Sequence, residues 1–288
     1  MSTNKNIEQI SKKLGLHEWQ VENTIRLMDD GATIPFISRY RKEMTGSLDE
    51  VQLLHIKNEY DRLKDLDERR EAVIKSISEQ EKMTDELMQK IIAAETMAEL
   101  EDIYLPYRPK RRTRATIARE KGLEPLAEII FKQDEHNPAH WAEDFLNDNV
   151  KSIKEALDGA SDIMAEWINE DENARKRMRI LFDKEAVIYS RVVKGKETEG
   201  IKFSDYYDWS EPLKKCPSHR LLAMRRGEEE EFLKLSIEPV DENALEILKT
   251  LFVKGNNESS QLVMSAAEDS WKRLLSSSME TEFRNISK

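Results

Sequence analysis

Residues 47–79 read SLDEVQLLHIKNEYDRLKDLDERREAVIKSISE, and from Ser47 to Leu105 the chain has neither glycine nor proline. Those are the strongest helix breakers, so nothing local interrupts a long helix here. Leu53, Ile56, Tyr60, Leu63, Val73, Ile74 and Ile77 recur in a near-heptad rhythm that breaks at Asp67-Glu68-Arg69-Arg70. Ser47 and Glu50 have the spacing of a capping box. The pattern predicts one helix over about 48–79, roughly 45–50 Å long at about 1.5 Å per residue. Thr84, ahead of Asp85 and Glu86, starts a second helix carrying Leu87, Ile91, Ile92, Met97 and Leu100. Together they make a long helical hairpin over about 47–105.

Upstream, Ile7, Ile10 and Leu14 keep helical spacing until Gly15, and Val21, Ile25 and Met28 do so until Gly31. This pair is a helix-turn-helix-like element over about 5–46. It fits ordinary helical packing or DNA reading. In its second helix, HEWQVENTIRLMDD, acids outnumber the single arginine, so a phosphate backbone would be repelled.

Downstream, Pro106 and Pro109 end the hairpin and force an extended linker. Helix resumes at Leu123, Leu126, Ile129 and Ile130, and Asn137-Pro138 reads as a turn. A helical stretch runs from Ile153 to about Ala186 with a break near Asp171. Val187 to Val193, rich in β-branched residues, fits a strand or a helix end. Lys194 to Pro217 is loop-like. Ser218 caps a short helix that Gly227 ends, and Leu233, Leu235 and Ile237 alternate with polar residues as in a strand. From Asp241 the pattern is helical. The expected fold is mainly α: an elongated multi-helix assembly with little β. The expected division is 1–200, a helical domain, and 201–288, a second helical segment.

Of 288 residues 36% are charged and 39% apolar, with nine glycines and eight prolines, which favours helices with solvated outer faces over an all-β fold. The formal charge of −11 argues against non-specific polyanion binding over the whole surface. The lone cysteine, Cys216, rules out an internal disulfide, fits a reducing cytosol and reads as inert. The stretch MSTNKNIEQISKK lacks the apolar core of a signal peptide, and no apolar run is long enough to span a membrane. A cytoplasmic protein without membrane contact is expected.

The chemistry-bearing patterns are weak. Five scattered histidines and one cysteine make no zinc cage. His136 and His140 stand four apart, as two helix-borne ligands would, but Asn137-Pro138 lies between them. Gly195 and Gly200 have phosphate-loop spacing with Ile201 where the lysine belongs. Asp205 with Asp208, or Asp183 with Glu185, are pairs of the kind chance supplies in an acidic chain. No catalytic residue, metal or cofactor is expected, and the chain reads as no enzyme.

The basic segment differs in kind. Arg108, Lys110, Arg111, Arg112, Arg114, Arg119 and Lys121 face one intervening acid, Glu120. Prolines stiffen YRPKRRTR, which lowers the entropy lost on ordering it against a partner. Arginine forks suit phosphates, and Tyr104 and Tyr107 suit stacking on unpaired bases. Ser38 to Lys42 repeats the mixture, and Pro217 to Arg226 adds Arg220, Arg225 and Arg226. The candidate nucleic-acid-binding residues are Arg39, Arg41, Lys42, Arg108, Lys110, Arg111, Arg112 and Arg114. The alternative is that these loops dock on acidic surfaces of the chain itself, such as Glu228 to Glu231.

GATIPFISRYRKEMTGSLDE, LEDIYLPYRPKRRTRATIAREKGLEPLA, GASDIMAEWINEDENARKRMR, FSDYYDW and PSHRLLAMRRGE, in this order, resemble the N-terminal half of the bacterial Tex transcription accessory proteins. These are similar to a eukaryotic elongation factor that is also a histone chaperone. The resemblance implies a piece of a much longer protein. An RNase-H-like domain, helix-hairpin-helix elements and an S1 domain would follow about where this sequence stops. It implies association with nucleic acid, single-stranded RNA favoured, mainly through the absent S1 domain, and contact with transcription machinery. It carries over no catalytic residue. The alternative is a protein–protein or interdomain module without nucleic-acid contact.

Overall fold

Among the described residues of the first compact unit, Met1–Tyr107, seven helices form. They are α1 (Ser2–Leu14), α2 (Glu18–Asp29), α3 (Ile34–Tyr40), α4 (Lys42–Thr45), α5 (Glu50–Glu79), α6 (Asp85–Ala93) and α7 (Met97–Tyr104). The molecule is a computed structural model that describes residues 2–109, 112–134 and 137–286. The glycine- and proline-free run folds into the long helix α5. Its capping box lies two residues later than Ser47: Asp49 Oδ1 accepts from Gln52 N at 2.8 Å, and Gln52 Oε1 accepts from Asp49 N at 3.1 Å. Ser47 is occupied closing α4, its N–H donating to the Lys42 carbonyl at 2.8 Å with φ at 61°.

Helix α5 serves two cores. Leu53, Ile56 and Leu63 pack with Ile7, Ile10, Val21, Ile25 and Ile37. Leu66, Val73 and Ile77 pack with Leu87, Ile91, Leu100 and Tyr104. The break at 67–70 lies just past the change-over, where α5 meets the polar end of α6 instead of an apolar face. Arg70 donates to the carbonyls of Ile91 at 3.1 Å and Ala94 at 2.9 Å. Those carbonyls are left without helical partners where α6 stops. Arg69 grips Glu101 through two bonds of 2.5 and 3.2 Å. The return leg of the hairpin is two helices, not one, each capped by its own threonine, Thr84 and Thr96.

The second unit, Arg108–Lys288, opens with α8 (Arg114–Glu120), α9 (Glu124–Lys132), α10 (Pro138–Glu143), α11 (Ile153–Glu170) and α12 (Glu172–Glu185). Strands β1 (Val187–Val192) and β2 (Asp208–Pro212), helix α13 (Ser218–Glu229) and strand β3 (Leu233–Glu238) follow. Helices α14 (Asp241–Phe252) and α15 (Glu258–Ser270), a π-helical turn (Trp271–Leu275) and α16 (Ser276–Ile286) complete it. Strand β1 is central in the order β2-β1-β3, and both pairings are antiparallel. Helix α11 is the hub. Its Ala156, Ala160, Ile163, Met164 and Ile168 are buried in one core with Ala115 and Ala118 of α8, Leu126 and Ile130 of α9, and Val263 and Ala266 of α15. Gly159 permits the closest approach, since a Cβ there would sit 2.4 Å from Leu123 Cδ1.

The chain is mainly α with one small sheet, as read from the sequence. Several local expectations change. The segment after Pro109 is not extended throughout, because Thr113 caps α8. Asn137 caps α10 with Pro138 at its first turn, in place of a plain turn. The loop-like stretch 194–217 contains β2, which pairs with β1. Pro217, not Ser218, occupies the N-cap of α13. Gly227 lies inside α13 rather than ending it, and its missing side chain makes room for β3, since a Cβ there would sit 2.5 Å from Leu233 Cδ1. The boundary drawn at 200/201 falls within the second unit, between paired strands.

Candidate nucleic-acid interface

The basic segment is anchored by small residues and acids of α11. Ala115 and Ala118 give α8 a flat inner face, buried in the α11 core. Thr113 caps the helix, its Oγ1 accepting from Thr116 N at 3.0 Å and donating to Glu166 at 3.1 Å. Arg119 reaches Glu166 at 2.6 Å and Glu124 at 3.0 Å, and Lys121 reaches Glu155 at 2.6 Å. Burial disfavours the Arg119 charge, but the bonds from Glu166 and Glu124 outweigh it and raise its pKa. These two cations are therefore fasteners.

The other described cations of the segment point outward. Arg108 and Arg114 are exposed and have no hydrogen bond or ion pair with any described residue. The positive charge of Arg114 acts on Asp162, whose pKa burial nonetheless raises. Arg112 pairs with Glu120 at 2.8 Å, yet 69% of its side chain meets solvent. Such an exposed pair contributes little to stability. Lys110 and Arg111 lie outside the described residues.

The second cluster is on α3 and α4, in the first unit. Arg39 and Lys42 are exposed without an ion pair among the described residues. Arg41 donates to the Tyr40 carbonyl at 2.9 Å and lies over the Phe36 ring at 5.2 Å. Phe36 is 40% exposed and Tyr40 63% exposed, with ring centroids 5.3 Å apart. The turn that presents them is held against α2, where Gln20 and Asn23 donate to the carbonyls of Thr45 at 3.0 Å and Met44 at 2.8 Å.

Stacking moves from one cluster to the other. Tyr104 is 7% exposed, its hydroxyl bonded to Ser76 at 2.8 Å and its ring covered by Arg69. Tyr107 packs against the same core, and its carbonyl accepts from Gln80 at 2.9 Å. Tyr104 therefore presents no free ring face of the kind expected from the sequence, and Tyr107 is half-buried. Phe36, which the sequence reading missed, stands one helical turn from Tyr40 on the outer face of α3. The signal was the i, i+4 aromatic spacing inside IPFISRYRK.

The third basic run is tied to its own unit, with Arg220 and Arg225 half-buried and Arg226 exposed. Arg220 bonds Glu211 at 2.6 Å and covers Trp209, Arg225 donates to the Arg284 carbonyl at 2.5 Å, and Arg226 bonds Glu230 at 3.0 Å. Within the glutamate run, Glu228 takes Arg284 at 2.8 Å and Glu230 takes Lys202 and Arg226. The run therefore does not receive the described cations of 108–114.

Burial and the neighbouring Glu211 push the Cys216 thiol up to about 12, so it carries essentially no thiolate near neutrality. Asp183 meets Lys214 at 3.4 Å, Asp208 meets Arg191 at 2.7 Å, and Glu185 accepts from Asn243 at 2.6 Å. Among the described residues no group of three His, Cys, Asp or Glu is placed to hold a metal ion; His136 is outside them. No described helix is long and apolar enough to cross a membrane.

A family profile described as "Tex central region-like" matches residues 133–287, more than half of the chain. The chain belongs to the Tex family. A second profile, "Tex-like protein N-terminal domain", matches residues 4–78. The cations of 108–121 thus lie between the two matched spans. The chain is similar to the protein named transcriptional accessory protein Tex of Neisseria gonorrhoeae, 46% identical over 228 residues, which cover 79% of this chain and 30% of that one. It is 45% identical over 265 residues to protein YhgF of Escherichia coli, covering 88% and 33%. The human S1 RNA-binding domain-containing protein 1 is 26% identical over 298 residues, covering 96% and 29%. This Tex-family chain therefore spans about a third of the length of these relatives.

Proposed function

We propose that this Tex-family chain is a non-catalytic scaffold contacting nucleic acid, single-stranded RNA in the first place, within a longer cytoplasmic transcription accessory protein. Most of the affinity would come from domains outside this chain, and transcription machinery would be its protein setting. The observation that carries the reading is the set of outward cations without carboxylate partners among the described residues, Arg39, Lys42, Arg108 and Arg114, in a chain of formal charge −11. Arg41 and Arg112 belong to the same clusters, as do Lys110 and Arg111 by sequence. The names of the gonococcal and human relatives agree with it.

A titration of labelled single-stranded RNA at two salt concentrations tests this. Replacing Arg108, Lys110, Arg111, Arg112 and Arg114 together by Ala should weaken binding. The slope of log affinity against log salt should flatten by about 0.7 per lost phosphate contact. Removing Arg39, Arg41 and Lys42 should do the same. An unchanged slope in both variants refutes the proposal. The second reading is an interdomain or protein–protein module without nucleic-acid contact; the ties of Arg112, Arg119 and Lys121 to carboxylates of their own unit agree with it only in spending part of the segment on packing. That reading requires no RNA binding by the wild-type chain and a lower melting temperature for the quintuple variant.

A further inference from the structure

The ENARKRMR run opens α12, and its cations divide in two. Arg179 turns inward to Glu282 at 2.6 Å, and Arg175 is buried, donating to Ser278 at 3.1 Å. Lys176, Arg177 and Lys184 remain exposed, and no hydrogen bond or ion pair ties them to a described residue. With Asn173 and Ile180 they form one stripe along α12, because positions 173, 176, 177, 180 and 184 follow the helical repeat. Ile180 is 48% exposed at the centre of this stripe. Beside it, Ile247 of α14 completes a groove of about 450 Å³. The carboxylates nearby are few: Glu185, which lines the groove, accepts from the neutral Asn243, and Asp183 and Glu246 form exposed pairs with Lys214 and Lys249.

We propose that this groove docks an acidic amphipathic helix of a protein partner, one apolar side chain seated on Ile180 and Ile247 and flanking carboxylates on Lys176, Arg177 and Lys184. Charge selects the occupant: three cations against one lining carboxylate, Glu185, surround an apolar floor, in a chain that is otherwise strongly acidic. Nucleic acid fits less well. No aromatic side chain lines the groove for base stacking, and a sugar-phosphate backbone brings nothing to cover two isoleucines. An acidic helix with apolar anchors one turn apart matches both features. The inference is independent of the RNA reading, which uses other residues.

The test is fluorescence anisotropy with a labelled acidic helical peptide of about 14 residues carrying leucines at i and i+4. A matched peptide with serines in place of the leucines is the control. Ile180→Asp and the double variant Lys176→Glu/Arg177→Glu should each weaken binding about tenfold or more, as loss of a central anchor does. All three positions are exposed, so circular dichroism should show both variants folded, and the double variant decides the matter should Ile180→Asp fail to fold. The Arg108→Ala/Arg112→Ala/Arg114→Ala variant should bind the peptide as wild type does. Equal binding of the serine peptide, unchanged binding by the groove variants, or full displacement of the peptide by oligouridine through the same residues would each overturn the proposal.

Discussion

Replacing Glu166 by alanine tests what seats the basic helix. Glu166 is 6% exposed on α11 and accepts from Arg119 at 2.6 Å and from Thr113 at 3.1 Å. These two contacts hold opposite ends of α8, Thr113 as its cap and Arg119 in its last turn. Among its contacts with described residues the variant loses two hydrogen bonds to an ionised carboxylate, about 1.5–3 kcal/mol each. Arg119 keeps Glu124 at 3.0 Å and has 28% of its side chain in water, so its charge is not stranded. That places the loss in the lower part of the range, about 3 kcal/mol. For a unit of this size the melting temperature should fall by about 5–10 °C. Glu166→Gln, which keeps an acceptor and the shape, should lose about half as much. Thermal unfolding by circular dichroism gives the size of the effect. Hydrogen exchange of the 113–121 amides gives its place, with α8 losing more protection than α15. A loss under about 0.5 kcal/mol, or unchanged exchange in α8, refutes the claim that Glu166 seats this helix.

Two further outcomes follow from titration. Burial alone would raise the Glu59 carboxyl, but hydrogen bonds from Lys13 and Arg62 outweigh it and hold its pKa below the ordinary 4.5. A lowered folded value means the α1–α5 tie is fully present above that pH and is lost as pH falls through the folded pKa. Urea unfolding should show part of the stability of Met1–Tyr107 lost between about pH 5 and pH 3, and Glu59→Gln should flatten that part of the curve. Cys216, with its thiol pushed up to about 12, should alkylate with iodoacetamide at pH 8 at least about a hundredfold more slowly than free cysteine. Labelling at the free-cysteine rate would show that the thiol is neither buried nor beside Glu211.

The long helix was legible because local and tertiary signals agree along it. No glycine or proline falls within residues 47–105, and the apolar positions of α5 that repeat in sequence pack into its two cores. The rhythm break at Arg69 and Arg70 was visible too, but its cause was not, because the carbonyls that Arg70 satisfies are more than twenty residues downstream. Strand β2 was invisible for a different reason. Asp208 to Pro212 has an exposed or half-buried pattern with no apolar face, and it becomes a strand only because β1 offers it an edge. The break between α6 and α7 gave no glycine or proline to read; Thr96 marks it only as a second cap.

The candidate interface was legible as charge and illegible as geometry. Counting cations along 108–121 treats all of them alike, but an α-helix divides them by direction. Ala115 and Ala118 set the inner face of α8, so Arg119 and Lys121 fall beside the acids of α11 while Arg114 is turned out. The same division governs the tyrosines. Tyr104 ends an amphipathic helix at a buried position, whereas Tyr40 belongs to a short helix whose only buried residues are Ile37 and Ser38. Aromatic identity beside arginine is thus a weak signal by itself, and the side of the helix on which the small and apolar residues fall supplies the rest. Applied to α12, the criterion turns Arg175 and Arg179 inward and leaves Lys176, Arg177 and Lys184 free. The run ENARKRMR thereby resolves into inward structural ties and an outward stripe of cations.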